Sequence, residues 1–266
     1  IDADAYGTCA SPYTAGAMAD GAHTFDVRAI DNAGNTGDSV QHAWALDTVA
    51  PTVSVDSGPA DDPTNSQNAD FTFSASDAAS GLTGTTCMLD TESAASACDQ
   101  AAGSSYTSVA EGSRTFTVTA TDDAGNSASA SFTWLVDTVD PTVSLSDTPD
   151  AETSSTAAGF TVTSADASSG LASTTCTVDT VAANCGDDLT GLSDGSHTMA
   201  ATATDNAGNS ASASYTWVVD TTDPAVSISD SPADPISSDA ADFTVTSSDG
   251  GSGLASTTCE LDGVAQ

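Results

Sequence analysis

The residues able to do chemistry in this chain are carboxylates and thiols. Aspartate occurs 34 times in 266 residues and glutamate 4 times. Against these 38 acids stand Arg28 and Arg114 and no lysine, for a formal net charge of −36. Gathered carboxylates are hard oxygen ligands suited to Ca²⁺, which takes roughly six to eight oxygens. A single Asp is explained as well by a solvated turn, because its short side chain bonds nearby backbone. A merely solubilising surface has no reason to prefer Asp over Glu so strongly. The six cysteines suggest pairs: Cys87 and Cys98 are 11 apart, and Cys176 and Cys185 are 9 apart. Paired cysteines point to an oxidising, extracellular setting. Zinc would need four clustered Cys or His ligands, which His23, His42 and His197 do not supply.

Other chemistry is excluded by what the chain lacks. Nucleic-acid binding needs a basic footprint, and here the charge is opposite. Anionic lipid is excluded on the same ground. No run of 18 apolar residues occurs, so no membrane insertion is expected. The segment opens without a charged and then apolar stretch, so no signal peptide is expected within it. Schiff-base and Lys–Asn isopeptide chemistry need lysine. No G-x-S-x-G elbow or phosphate loop is present, and no nucleophile–base set can be argued. The chain reads as a non-enzyme.

The elements that must position the acids and thiols come from internal repetition. "HAWALDTVAPTVSV" at 42–55 recurs as "FTWLVDTVDPTVSL" at 132–145 and "YTWVVDTTDPAVSI" at 215–228. "DGAHTFDVRAIDNAGN" at 20–35 recurs at 111–126 and 194–209, and "ADFTFSASDAASGL" at 69–82 recurs at 158–171 and 241–254. Counted from the Asp of D-T-x-x-P, the periods are 137 − 47 = 90 and 220 − 137 = 83 residues. Within a period the pattern alternates, as in Phe116, Val118 and Ala120 set between Thr117 and Thr119. That two-residue repeat marks half-buried strands. Thr suits the outward positions of a pleated face. Six or seven short strands in about 90 residues read as a β-sandwich, with Asp-x-Ala-Gly-Asn as the hairpin between the last two strands. Trp44, Trp134 and Trp217 recur once per repeat and read as core anchors.

The set "DG-x-H-T-F … A-x-D-x-A-G-N … W-x-x-D-T-x-x-P" resembles the bacterial Ig-like repeats found in tandem arrays of large surface proteins, adhesins and secreted proteins. The resemblance covers essentially the whole chain. It implies an all-β fold of tandem Ig-like β-sandwiches arranged as beads on a rod. The expected divisions are the later strands of one domain at 1–46, whole domains at 47–136 and 137–219, and the early strands of another at 220–266. The two halves sum to 47 + 46 = 93 residues, close to one period, so 1–46 of a following unit would complete 220–266. Cys259 matches Cys87 and Cys176, and Cys9 matches Cys98 and Cys185; the third pair would form across that joint. Completion within a longer chain and strand donation between separate chains both remain open.

An Ig-like sandwich would bring several acids to one end of each domain. Asp47, Asp137 and Asp220 open the linkers, and Asp140 and Asp223 lie three residues on. Asp77, Asp166 and Asp249 follow the second strand. Asp122, Asp123 and Asp205 sit in the Asp-x-Ala-Gly-Asn hairpin. Acids of the preceding domain would approach: Asp61, Asp62 and Glu111 at the Asp137 junction, and Asp150, Glu152 and Asp194 at the Asp220 junction. The arrangement resembles the calcium-stiffened junctions of cadherin-like domains, although the linker is not theirs. The expected function is an extracellular or cell-surface stalk or filament with Ca²⁺ at its junctions, partnered by copies of itself. The alternatives are an adhesive region that binds surface glycans, and a spacer of a secreted enzyme. Strands of about nine residues span ~30 Å, so three domains in line would reach on the order of 100 Å.

Overall fold

The computed structural model describes residues 1–2, 5–235 and 237–265. Positions 3, 4, 236 and 266, which belong to the two expected half-domains, lie outside the described residues. Among the described residues every regular element is a strand, and no helix is long and apolar enough to cross a membrane. The chain forms two compact units, Ile1–Thr138 and Val139–Gln266.

The first unit holds β1 (Gly21–Val27), β2 (Val40–Leu46), β3 (Thr52–Ser57), β4 (Ala69–Ser76), β5 (Leu82–Leu89), β6 (Ser96–Cys98), β7 (Ser104–Tyr106), β8 (Gly112–Asp122) and β9 (Ser127–Val136). The β1–β2 pair stands as a two-stranded sheet. A sheet ordered β3-β4-β7 packs on one ordered β6-β5-β8-β9. Period-two alternation dictates that packing. On β8, Phe116, Val118 and Ala120 are all fully buried. Thr115 and Thr119, on the other face of the strand, bond across to β9, to Thr133 at 3.0 Å and to Ser129 at 2.7 Å. Opposite them, Phe71 of β4 stacks on Phe116 with centroids 4.1 Å apart and lies 5.2 Å from Trp134. Cys87 of β5 is bonded to Cys98 of β6.

The second unit holds β10 (Thr142–Ser146), β11 (Glu152–Thr153), β12 (Thr161–Ala165), β13 (Leu171–Val178), β14 (Val181–Ala183), β15 (Gly195–Asp205), β16 (Ser210–Val219), β17 (Ala225–Asp230), β18 (Thr244–Ser248), β19 (Glu260–Leu261) and β20 (Val264–Ala265). The β10–β12 pair faces a sheet ordered β11-β16-β15-β13-β14. The architecture matches the first sandwich, with smaller side chains inside: Met199, Ala201 and Ala203 stand where β8 has Phe116, Val118 and Ala120. Phe160 again lies 5.2 Å from Trp217, and Cys176 is bonded to Cys185. The β17–β18 and β19–β20 pairs are separate two-stranded sheets.

Both sandwiches are Ig-like, and one detail of their strands positions the acids. The alternation that buries Phe116, Val118 and Ala120 carries on to the last residue of β8, so Asp122 is also aimed inward and is 1% exposed. Asp205 ends β15 in the same way, also 1% exposed.

Candidate metal centre

Three elements of the first unit bring three carboxylates together. Asp47 follows β2, Asp77 follows β4, and Asp122 ends β8. Each offers a carboxylate oxygen, and these oxygens lie within 4.8 Å of one another. Asp47 is 9% exposed. Its Oδ1 accepts from Val49 N at 3.0 Å, and its Oδ2 accepts from the Ser80 amide and hydroxyl. The Ser80 hydroxyl above all, and then the Val49 amide, hold the Asp47 carboxyl below its usual value. Asp77 Oδ1 caps its own loop, accepting from Ala79, Ser80 and Gly81 N at 2.9–3.0 Å. Asp122 grips Asn126 with both oxygens, Oδ1 to N at 2.7 Å and Oδ2 to Nδ2 at 2.8 Å. The turn between them needs Gly125 at φ 92°, the left-handed region that glycine tolerates. The Asn126 amide also donates to Asp47 O at 3.1 Å, tying the hairpin to the linker.

Among the described residues, no basic side chain balances this trio. Arg28 lies 3.9 Å from the centre of the Tyr6 ring. Arg114 donates to the carbonyls of Ala110 and Glu111 and lies 3.9 Å from Asp90. Three like charges in a partly buried site repel one another unless a cation or protons intervene. The donors are oxygens throughout, with no thiolate or imidazole. That set fits a hard cation such as Ca²⁺ and does not fit zinc.

The same three positions recur one period on as Asp137, Asp166 and Asp205. Within the second unit, Asp205 grips Asn209 as Asp122 grips Asn126, Oδ1 to N and Oδ2 to Nδ2, each at 2.8 Å. Asp166 caps its loop through Gly170 N at 2.7 Å. A third set begins with Asp220, whose Oδ2 accepts from Ser252 N at 2.7 Å, and Asp249, which accepts from Gly253 N at 2.7 Å. In the first unit, the remaining copy of the hairpin acid is Asp31, which holds Asn35 through both oxygens at 2.8 Å. Asp31 was absent from the sequence-based expectation, although the third copy of Asp-x-Ala-Gly-Asn at 31–35 carries the signal.

Several other expected ligands have different roles. Asp140 and Asp223 are exposed, and Ala50 stands at the matching place in the first linker, so that position is not shared by all three repeats. Glu111 does not join an acid cluster; it accepts from Thr138 N at 2.9 Å and Oγ1 at 2.7 Å. Asp194 accepts likewise from Thr221 N and Oγ1, and Asp20 from Thr48 N and Oγ1. The acid before β8 and its counterparts therefore clamp the threonine of D-T-x-x-P. Linker amides and hydroxyls supply the nearest donors, and these carboxylates are spent on them. Asp62 accepts from Leu135 N at 2.9 Å, while Asp61, Asp123, Asp150 and Glu152 remain exposed. Cys9 and Cys259 are free and exposed.

A second ionic position also repeats. His197 Nδ1 lies 2.7 Å from Asp179 and its Nε2 lies 2.8 Å from the Ser193 carbonyl. The Ser193 carbonyl and then Asp179 raise the His197 pKa. His23 meets Asp2 at 2.7 Å and the Ala19 carbonyl at 2.7 Å, and its pKa is raised chiefly by Asp2. Arg114 occupies this place in the middle repeat, beside Asp90.

Comparison with known proteins agrees with the Ig-like class of the fold. A family model described as "Putative Ig domain" matches residues 101–137. None of the curated proteins matches the chain. Among solved structures it is similar to the fibronectin(III)-like modules of Clostridium thermocellum CbhA, at 15% identity over 63% of this chain and 94% of that one, TM-score 0.35. It is similar to a Ca²⁺-stabilized adhesin with which an Antarctic bacterium binds ice, at 20% identity over 77% of this chain and 59% of that one, TM-score 0.39. It is also similar to a tetra-tandem repeat from the extending region of a large adhesion protein, at 27% identity over 86% of this chain and 64% of that one, TM-score 0.31.

Proposed function

We propose that this chain is part of an extracellular or cell-surface stalk, made of repeated Ig-like sandwiches whose junctions are stiffened by Ca²⁺. The observation that carries the reading is the Asp47, Asp77 and Asp122 trio, whose oxygens lie within 4.8 Å of one another with no basic side chain to balance them. Asp47 opens the D-T-V-A-P linker, whereas Asp77 and Asp122 belong to the sandwich that follows. A cation held by all three would fix the direction in which the chain enters that sandwich. Asp20 of the preceding strands already holds Thr48 of the same linker, and Pro51 fixes φ at the entry to β3. Two disulfides suit an oxidising, extracellular setting. The partners in this reading are further copies of the repeat along a fibre.

Calorimetric titration of calcium into the chain tests the proposal. Binding heat is expected from the site at Asp47/Asp77/Asp122. Asp77→Asn should weaken it by at least about tenfold, since one of three charged ligands is lost. A wild-type chain that binds no calcium at millimolar concentration contradicts the reading and leaves a stalk held by packing alone.

A further inference from the structure

Behind each clamp on a linker threonine stands one further contact, and it is built three times. Asp194, which holds Thr221 by its amide and hydroxyl, directly follows Ser193, whose carbonyl faces His197 Nε2 at 2.8 Å. Glu111, which holds Thr138, follows Ala110, whose carbonyl accepts from Arg114 Nε at 2.8 Å. Asp20, which holds Thr48, follows Ala19, whose carbonyl faces His23 Nε2 at 2.7 Å. In every case the bracing side chain lies four residues beyond the braced carbonyl. A peptide unit is planar, so a grip on the carbonyl of one residue also orients the bond to the next. The brace therefore sets where the clamping carboxylate is presented.

The three braces differ in one property. A guanidinium stays charged, whereas an imidazole titrates near neutral pH. The His197 ring is 7% exposed and has an acceptor on each nitrogen, Asp179 at 2.7 Å from Nδ1 and the Ser193 carbonyl at 2.8 Å from Nε2. The charged ring donates to both; the neutral ring has a single N–H and serves only one. A carboxylate is the stronger acceptor, so on deprotonation the hydrogen stays with Asp179, and the Ser193 carbonyl meets a bare nitrogen. Asp179 is the charged group that the ring meets. It comes from the turn between β13 and β14 and also accepts from Thr198 N at 2.8 Å. From β16 the ring meets Trp217, 5.6 Å away and uncharged. On the loop that carries Ser193, the Asp194 carboxylate is engaged by Thr221 and Thr222.

We propose that His197 is a pH-sensitive brace on the linker clamp: when charged it holds the Ser193–Asp194 peptide so that Asp194 grips Thr221, and when neutral it frees that peptide and the grip loosens. His23 does the same for Asp20 and Thr48, while Arg114 keeps the Glu111 grip on Thr138 at every pH. His197 acts through Asp194 and is a positioning residue. The Ser193 carbonyl and then Asp179 raise its pKa above 6.5. The brace is therefore complete below pH 6.5 and is lost as pH rises through the raised value. The use of such a device rests on the stalk reading, in which linkers set stiffness; the contacts themselves owe nothing to calcium.

The test follows hydrogen exchange of the Thr221 and Thr138 amides by NMR on the full chain, in calcium-free buffer with EGTA, while the His197 ring is titrated in the same samples. Exchange is expressed as protection relative to an unstructured amide at each pH. Thr221 protection should fall at least about threefold as pH rises above 6.5, with the midpoint of the His197 ring, while Thr138 protection stays level. Exchanging the braces should exchange the behaviours. His197→Arg, the residue that the middle repeat uses, should make Thr221 level, and Arg114→His should make Thr138 fall. A merely structural histidine would change the size of the protection without passing on its pH dependence. A His197 ring that titrates while Thr221 protection holds overturns the proposal. So does a ring that stays charged until the domain unfolds, or a fall at Thr221 that persists in His197→Arg. Calcium is absent throughout, so failure of calcium binding leaves this result untouched, and failure here leaves the calcium reading untouched.

Discussion

Asp122 closes a strand and a turn at once. Its inward position follows from the alternation of β8, and its two oxygens hold Asn126. Asn126 in turn reaches the Asp47 carbonyl, so Asn126→Ala leaves a partly buried carboxylate and a linker carbonyl without their donor. The expected loss is about 1–3 kcal/mol in urea denaturation. His197 makes a second residue-scale prediction. Both its ring nitrogens face acceptors, which favours the charged ring and raises its pKa above 6.5. That contribution to stability is complete below pH 6.5 and is lost as pH rises through the raised value. Thermal unfolding of the sandwich containing Trp217 should shift downward as pH rises above 6.5. His197→Arg should remove the shift, because a guanidinium stays charged across this range. Not every such partner was legible in the sequence. The acid series Asp47, Asp77 and Asp122 was readable from repeat position. The clamps made by Asp20, Glu111 and Asp194 were not, because only the folded linker brings a threonine amide and hydroxyl to them.

At the scale of elements, alternation did most of the specifying. Thr between apolar residues on β8 and β15 marks strands with one face buried, and the cross-strand Thr–Thr and Thr–Ser bonds explain why so much Thr and Ser is used. The short parallel contact of β11 with β16 was not legible. Two residues carry no periodicity, and the pairing depends on where the loop from β10 falls. The second sandwich substitutes Met199 and Ala201 for Phe116 and Val118, so less apolar surface is buried inside it. Its disulfide should matter correspondingly. Replacing Cys176 and Cys185 by serine should cost about 3 kcal/mol, from loop-closure entropy restored to the unfolded chain. Chemical denaturation followed by Trp217 emission in a Trp44→Phe, Trp134→Phe background measures it.

For the whole molecule, the proposed calcium role would make the sandwich entrances the places where solution conditions act. Calcium at 100 times its dissociation constant should add about 2.7 kcal/mol to the stability of each domain that binds one ion. Repulsion among 38 acids also favours extension, but salt screens it beyond about 8 Å at physiological ionic strength. Stiffness under those conditions must therefore come from contacts at the linkers, and the cation proposal supplies one that can be removed at will. Small-angle X-ray scattering of the chain at physiological salt, with calcium and then with EGTA, is the most direct measurement. With calcium the profile should be that of a rod with a maximum dimension on the order of 100 Å; with EGTA it should become that of a flexible chain of domains, and added calcium should restore the rod. A profile and maximum dimension unchanged by chelation would contradict cation stiffening.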